Sequence, residues 1–121
     1  MHELSICDAI SRAVLQRAEG RRVRTVRLQV GALRQVVPDT LVFCWSLAAV
    51  DPALVGSELE IEVVPGEVEC RDCRVRSRLD RFLLRCPACE GPVTVVAGDD
   101  LVVVSMDVEP SGVEPSGVEP V

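Results

Sequence analysis

CRDCRVRSRLDRFLLRCPAC, residues 70–89, holds four of the six cysteines of a 121-residue chain, arranged as two Cys-x-x-Cys pairs. Cys70 and Cys73 form one pair, Cys86 and Cys89 the other, with twelve residues between Cys73 and Cys86. Each pair predicts a tight turn whose two sulfurs face one ion, with N–H groups of the turn donating to the thiolates. Pro87 stiffens the second turn, and Gly91 lets the chain leave it. The ten residues RSRLDRFLLR between the turns suffice for a short strand to go out and return. Four thiolates around Zn(II) make a closed tetrahedral site with no position open to a substrate. A redox Cys-x-x-Cys would stand at the start of a helix after a strand, and would not need a second copy. An iron–sulfur cluster can also use four cysteines, but one ion between two knuckles is the simpler arrangement. The gap is shorter than the commonest zinc-ribbon spacing.

Upstream, LSICDAISRAVLQRAE (4–19) places Ile6, Cys7, Ile10, Ala13 and Val14 at the spacing of one helical face. Ser5 and Asp8 resemble a capping box, which predicts a start near Ser5 with Met1–Leu4 before it, and Gly20 is the stop. RRVRTVRLQVG then alternates Val26, Leu28 and Val30 against Arg27 and Gln29, a half-buried strand ending at Gly31. Pro38 opens a second helix, with Leu41, Cys44, Trp45 and Ala48 at three- and four-residue steps, closed by Asp51-Pro52. SELEIEVVPG alternates Leu59, Ile61 and Val63 against Glu58, Glu60 and Glu62, and DDLVVVSMDVE is a third, mostly β-branched strand. Cys7 and Cys44 fall on the apolar faces of the helices and read as small core residues.

The order of these elements predicts an α+β fold of two helices and a three-stranded sheet, with a zinc-ribbon-like module inserted. Residues 1–65 and 99–109 form the α/β body, 66–98 the module. The tail VEPSGVEPSGVEPV repeats a five-residue unit rich in Pro, Gly and Glu, so residues 110–121 are expected to be disordered.

Charge narrows the partners. Net charge is −6, with thirteen Arg and no Lys. Residues 1–65 carry seven Arg against eight acids, 66–98 six Arg against five, and 99–121 six acids with no base. A near-neutral body with an acidic tail is no general polyanion binder. The arginines at 74, 76, 78, 81 and 85 raise a zinc-ribbon nucleic-acid module, or a protein-interaction module with no further metal, as the rival reading. Against it, Glu67, Glu69, Asp72, Asp80 and Glu90 sit among them, no Tyr, Trp or Lys interleaves, and four thiolates with Zn(II) add −2. The start carries no basic region or long apolar run, so neither a signal peptide nor a membrane span is expected. In a cytoplasmic protein, six cysteines read as thiols and metal ligands.

The one histidine, His2, stands beside the terminal amine. The amine of Met1, the His2 amide nitrogen and an imidazole nitrogen lie within chelate reach of a single ion, and Glu3 adds a carboxylate. Three nitrogens and an oxygen near a plane suit Ni(II) or Cu(II) better than Zn(II). His is too large for efficient methionine removal, so the Met1 amine should survive.

MHELSI at the start, PDTLVF opening the second helix, LEIEVVP, the paired Cys-x-x-Cys motifs and the final DDLVVVSMDVE together resemble the hydrogenase-maturation nickel-insertion proteins, the HypA/HybF family, over residues 1 to about 109. The resemblance implies a nickel metallochaperone, not an enzyme. Its nickel site would fall on Met1, His2 and Glu3, and its zinc site on Cys70, Cys73, Cys86 and Cys89; separately, Asp39 at the start of the second helix is a further oxygen donor if the fold brings it near. Its implied partners are a nickel-binding GTPase and the [NiFe]-hydrogenase large-subunit precursor, with urease served by some members and a homodimer left open. Two features depart from the family: GDDL replaces a stretch that usually reads like GREL, and the VEPSG tail is extra.

Overall fold

The computed structural model describes residues 2–79, 85–109 and 113–120. Two helices and seven strands follow in the order α1 (His2–Ala18), β1 (Val23–Gly31), α2 (Pro38–Ala48), β2 (Glu58–Val64), β3 (Gly66–Cys70), β4 (Arg76–Leu79), β5 (Val93–Ala97), β6 (Leu101–Val108) and β7 (Val113–Pro120), with a 3₁₀ turn at Ala32–Arg34. The strands form two sheets, ordered β2-β1-β6-β7 and β4-β3-β5. By contacts the chain divides into two units. One takes residues up to Gln29, Val36–Glu62 and those from Val102 onward; the other takes Val30–Gln35 and Val63–Leu101. The second unit thus reaches slightly beyond residues 66–98 and adds a short upstream piece.

In the first unit, α1 buries Ile6, Cys7, Ile10, Val14 and Ala18, while Ala13 is half-buried. The helix begins at His2, three residues before the expected cap, so Ser5 lies inside it. Glu3 in the first turn complements the partial positive charge there and removes the need for a cap at Ser5. At the other end Glu19 and Gly20 both take positive φ, and the Arg21 guanidinium donates to the carbonyls of Ala18 (2.8 Å) and Arg17 (3.3 Å). Pro38 sits in the first turn of α2, where its missing N–H costs nothing. That helix ends at Ala48, before Asp51-Pro52. Trp45 is buried and its indole N–H donates to Ser57 Oγ at 3.0 Å. Phe43 is 63% exposed, so among the described residues Trp45 alone supplies aromatic core.

Arg27 on β1 ties the sheet together across its width. Its two terminal nitrogens each donate to an Asp107 oxygen on β6 at 2.9 Å, and its Nε donates to Glu60 on β2 at 3.2 Å. Such a planar two-bond pair fixes orientation as well as attraction. Gln29 reaches Glu62 at 3.0 Å, the same offset as Arg27 to Glu60, which is the step of strands running in the same direction. β1, α2 and β2 therefore make a βαβ unit, joined by a helical crossover. β6 runs opposite to β1: Gly31 N–H donates to Asp100 O at one end (2.7 Å), and Glu109 N–H to Arg22 O at the other (2.8 Å).

The three-stranded sheet expected from sequence is β2-β1-β6, and β7 adds a fourth strand. This corrects the reading of the tail as wholly disordered. β7 pairs antiparallel with β6, from Val102 opposite Pro120 to Asp107 opposite Val113, with a register shift between Val103 and Ser105. An edge strand uses the backbone groups of one side only, so proline is admitted there although it is excluded from a central strand. Composition alone does not reveal this, because the stabilising partner is the open edge of β6.

In the second unit, β3 lies between β4 and β5, antiparallel to both. Leu33 from the 3₁₀ turn packs with Val68 and Leu79, against Val93 and Val95. Three glycines allow the close backbone approach beneath this small core. A Cβ on Gly31 would collide with the Gly98 carbonyl, one on Gly98 with Gly66 and Pro65, and one on Gly66 with the Leu33 side chain. Gly98 also holds φ at +82°, in the region that favours glycine.

Two outcomes test this account. Gly98→Ala combines backbone strain with a backbone clash and should cost about 3 kcal/mol or more, seen as a lowered melting temperature. The N–H groups of Arg27 hold the Asp107 carboxyl below its ordinary value of 3.8. A lowered folded-state value contributes stability above the unfolded value, lost as pH falls through the folded one. Asp107→Asn should therefore melt lower than wild type at neutral pH, and the two should converge as pH falls from the ordinary carboxyl value through the lowered folded-state one. A constant gap across that range would show that Asp107 acts only by packing.

Candidate metal centre

The two Cys-x-x-Cys turns fold alike although their sequences share little beyond the cysteines. Cys70 N–H donates to Val75 O (3.0 Å) and Arg74 N–H to Cys70 O (3.1 Å); Cys86 N–H donates to Gly91 O (3.0 Å) and Glu90 N–H to Cys86 O (2.8 Å). The N–H two residues on meets the first sulfur in both turns, Asp72 to Cys70 Sγ at 3.3 Å and Ala88 to Cys86 Sγ at 3.4 Å. Cys73 N–H adds a second bond to Cys70 Sγ, also at 3.3 Å. The residue after the second cysteine is left-handed in each, Arg74 at φ +64° and Glu90 at φ +61°. Neither is glycine, so both turns carry strain that the surrounding bonds must hold.

These turns bring Cys70, Cys73, Cys86 and Cys89 together, with all four sulfurs within 4.8 Å of one another. Cys70 and Cys89 sulfurs are 3.5 Å apart, those of Cys73 and Cys86 3.7 Å. Ligands at about 2.3 Å on a tetrahedral ion stand about 3.8 Å apart, so the spacing fits one thiophilic ion such as Zn(II). Cys70 and Cys86 are buried and Cys73 and Cys89 exposed, one of each from each turn.

The protons follow from the geometry. The N–H of Cys73, helped by that of Asp72 and by neighbouring thiols, pulls the Cys70 thiol down to about 6. Cys89 gains from the Gly91 N–H, but Cys70, Cys73 and Cys86 crowd it and push it up to about 12. Cys73 is raised as well: the Val75 N–H lowers it, and Cys70 more than offsets that with burial and Cys86. Left to itself the cluster ionises at Cys70 and stays protonated at Cys89. A divalent cation removes that conflict and makes four thiolates compatible.

Gly91 has a more specific task than freeing the chain. A Cβ there would stand 2.7 Å from an Asp72 carboxylate oxygen and 3.2 Å from Cys89 Sγ. Sequence spacing marks the turn; the need for an absent side chain against a ligand sulfur emerges only in three dimensions. By register, Glu67 stands opposite Arg78 and Glu69 opposite Arg76, so two arginines of the basic run face carboxylates across the strands.

The other candidate residues are placed separately. Met1 and the His2 side chain lie outside the described residues. Glu3 is half-buried in the first turn of α1, and Asp39 is exposed in the first turn of α2. Among the described residues, the four cysteines form the one group of metal donors. Cys7 is fully buried beneath α2, 3.7 Å from Leu41 O, and burial, with Cys44 and Glu3 adding to it, pushes its thiol up to about 11. It is a protonated core residue.

An α+β body with two helices and a module whose four thiols can hold one metal ion defines a small metal-binding protein. The family model for hydrogenase/urease nickel incorporation, metallochaperone, HypA, matches residues 1–108. A hydrogenase maturation factor HypA from Geotalea uraniireducens is 41% identical over 110 residues, covering 90% of this chain and all of the relative. One from Streptomyces avermitilis is 41% identical over 115 residues, covering 90% of this chain and 88% of the relative. The solution structure of the Ni metallochaperone HypA from Helicobacter pylori shares the fold, with a TM-score of 0.65 at 16% identity over 88% of this chain and 96% of that one. The chain belongs to the HypA family of nickel-incorporation metallochaperones.

Cys73→Ser or Cys86→Ser should lower the metal content of purified protein below one ion per chain and loosen residues 63–101. Closed four-thiolate sites contribute on the order of 10 kcal/mol of apparent binding to folding. Retention of one ion per chain with unchanged melting would refute the assignment.

Proposed function

We propose that the chain carries Ni(II) at its N-terminus, on the Met1 amine, the His2 amide and imidazole and the Glu3 carboxylate, and delivers it to the large-subunit precursor of a [NiFe]-hydrogenase. The four-cysteine cluster holds Zn(II) and is structural. A nickel-binding GTPase assists the delivery, and the work is done in the cytoplasm.

The observation that carries this reading is that α1 begins at His2. The first N–H groups of a helix have no carbonyl four residues back, so the amides of the first turn are not consumed by the helix. An amide at that point is free to lose its proton to a metal. The helix start also carries partial positive charge, which opposes a bare cation. A deprotonated amide and a carboxylate offset it, and Glu3 stands in that turn. Family membership over residues 1–108 supplies the nickel role. The four-thiolate site is closed, which suits a structural ion and not a cargo that must leave. The glutamates opposite Arg76 and Arg78 weigh against a nucleic-acid role.

Calorimetry with Ni(II) on untagged protein tests the proposal, in wild type, His2→Ala and a chain with a Gly-Ser extension before Met1. Both variants should lose tight nickel binding while keeping the cysteine-bound metal and the fold, and Glu3→Gln should weaken it less. Affinity should fall as pH drops through the imidazole range near about 6.5, because amine, amide and imidazole must all release protons. Equal binding by all the proteins would eliminate the terminal site.

A further inference from the structure

The family model ends at residue 108, and the VEPSG repeats that follow are not used in the nickel reading. Their backbone is nevertheless in the sheet, as β7 along the outer edge of β6. That edge is unusual. β6 reads LVVVSMDV, with no proline or charge before Asp107, and five of its eight residues are buried. Left open, it would offer a flat β-branched ladder to any other strand, the arrangement that natural sheets avoid.

β7 is a poor match for so good an edge. Of the five positions at which it stands opposite β6, two are Pro115 and Pro120; their partners Ser105 and Val102 face opposite edges of β6, so one of the two prolines meets β6 with no N–H to give, and the register breaks between Val103 and Ser105. A second β6 would be better. It has no proline, and an antiparallel pair of identical strands is self-complementary under a two-fold axis. An axis centred on Val104 or Ser105 pairs odd positions with odd and even with even, so equivalent faces of the two copies stay on one side. The other proline faces away from β6 and leaves a gap in the outer edge of β7, which makes that edge a poorer recruit for a further strand.

We infer that the outer edge of β6 is a strand-addition surface for a second copy of this chain, held shut by β7 of the same chain. The tether makes the weaker strand win. A segment joined by a few residues has an effective concentration of about millimolar, well above that of a free second copy in solution. The full chain is therefore monomeric, and losing β7 from the edge joins two sheets through their β6 strands.

The test keeps the chain at full length and replaces residues 113–120 with a Gly-Ser sequence of equal length, which pairs poorly and stays flexible. Mass is measured by sedimentation at about 100 µM, a tenth or less of the effective concentration of the tethered strand. The unaltered chain should sediment as a monomer and the Gly-Ser chain at twice that mass. Val104→Lys in the Gly-Ser chain sets like charges beside the two-fold axis and should restore the monomer. Circular dichroism confirms that each variant is folded, and Val104→Thr replaces Val104→Lys should the latter fail to fold, with partial reversal expected. A dimeric unaltered chain, a monomeric Gly-Ser chain, or a dimer indifferent to position 104 would each overturn the inference.

Discussion

Four sulfurs within 4.8 Å of one another set the terms for the second unit. In water, four thiolates at that distance repel strongly, and the folded chain eases the repulsion most at Cys70, where two N–H groups converge, against a single N–H at Cys86. The apolar support is slight. Leu33, Val68 and Leu79, with Val93 and Val95 against them, make a core far smaller than a free-standing domain needs. Both turns also keep a non-glycine residue in the left-handed region. Repulsion, a small core and two strained backbones all point the same way. An ion bound there would do the folding work that apolar burial does elsewhere, and the hydrogen-bond pattern shared by the turns positions the sulfurs to receive one.

The first unit is held by different means. Its helices bury apolar faces and pack against each other, and on the other residues of β1 a single arginine joins three strands through Glu60 and Asp107. Each partner of Arg27 is an acid at an alternate position of its strand, so the polar residues that keep one face of the sheet wetted also fix its register. The two units therefore respond to different insults. A chelator would strip an ion from the thiolates, and acid would protonate Asp107 in the Arg27 pair.

Much of this was legible in the sequence because two kinds of signal are local. The cysteine spacing specifies the two turns, and the periodicity of Ile6, Ile10 and Val14, or of Val26, Leu28 and Val30, specifies a face. The failures came where a distant partner decides. Ser5 and Asp8 spelled a cap, but Glu3 lets α1 run on to His2. Leu33 sits in a three-residue turn with no periodicity to mark it, yet it is central to the small core. Gly31, Gly66 and Gly98 read as strand ends, whereas their absent side chains permit three backbones to meet. The tail reads as unstructured by composition, and its strand exists because β6 offers an edge. The terminal donors are the opposite case. His2 and Glu3 are proposed as donors from the sequence by chemistry alone, since contiguous donors need no fold to bring them together.

The proposed division of metals follows from the same chemistry. Nickel binds more tightly than most divalent ions to almost any nitrogen or sulfur site, so affinity alone cannot keep it off four free thiolates. Geometry and occupancy can. A tetrahedral cluster already closed by one ion presents no vacant position. A terminus offering an amine, an amide and an imidazole near one plane favours the square arrangement that Ni(II) accepts and Zn(II) does not. Under the proposed function a structural ion would then have a second consequence beyond folding residues 63–101. By occupying the thiolates that would otherwise capture and retain the cargo, it would leave the nickel at a site whose grip depends on a few protons and from which it can be released.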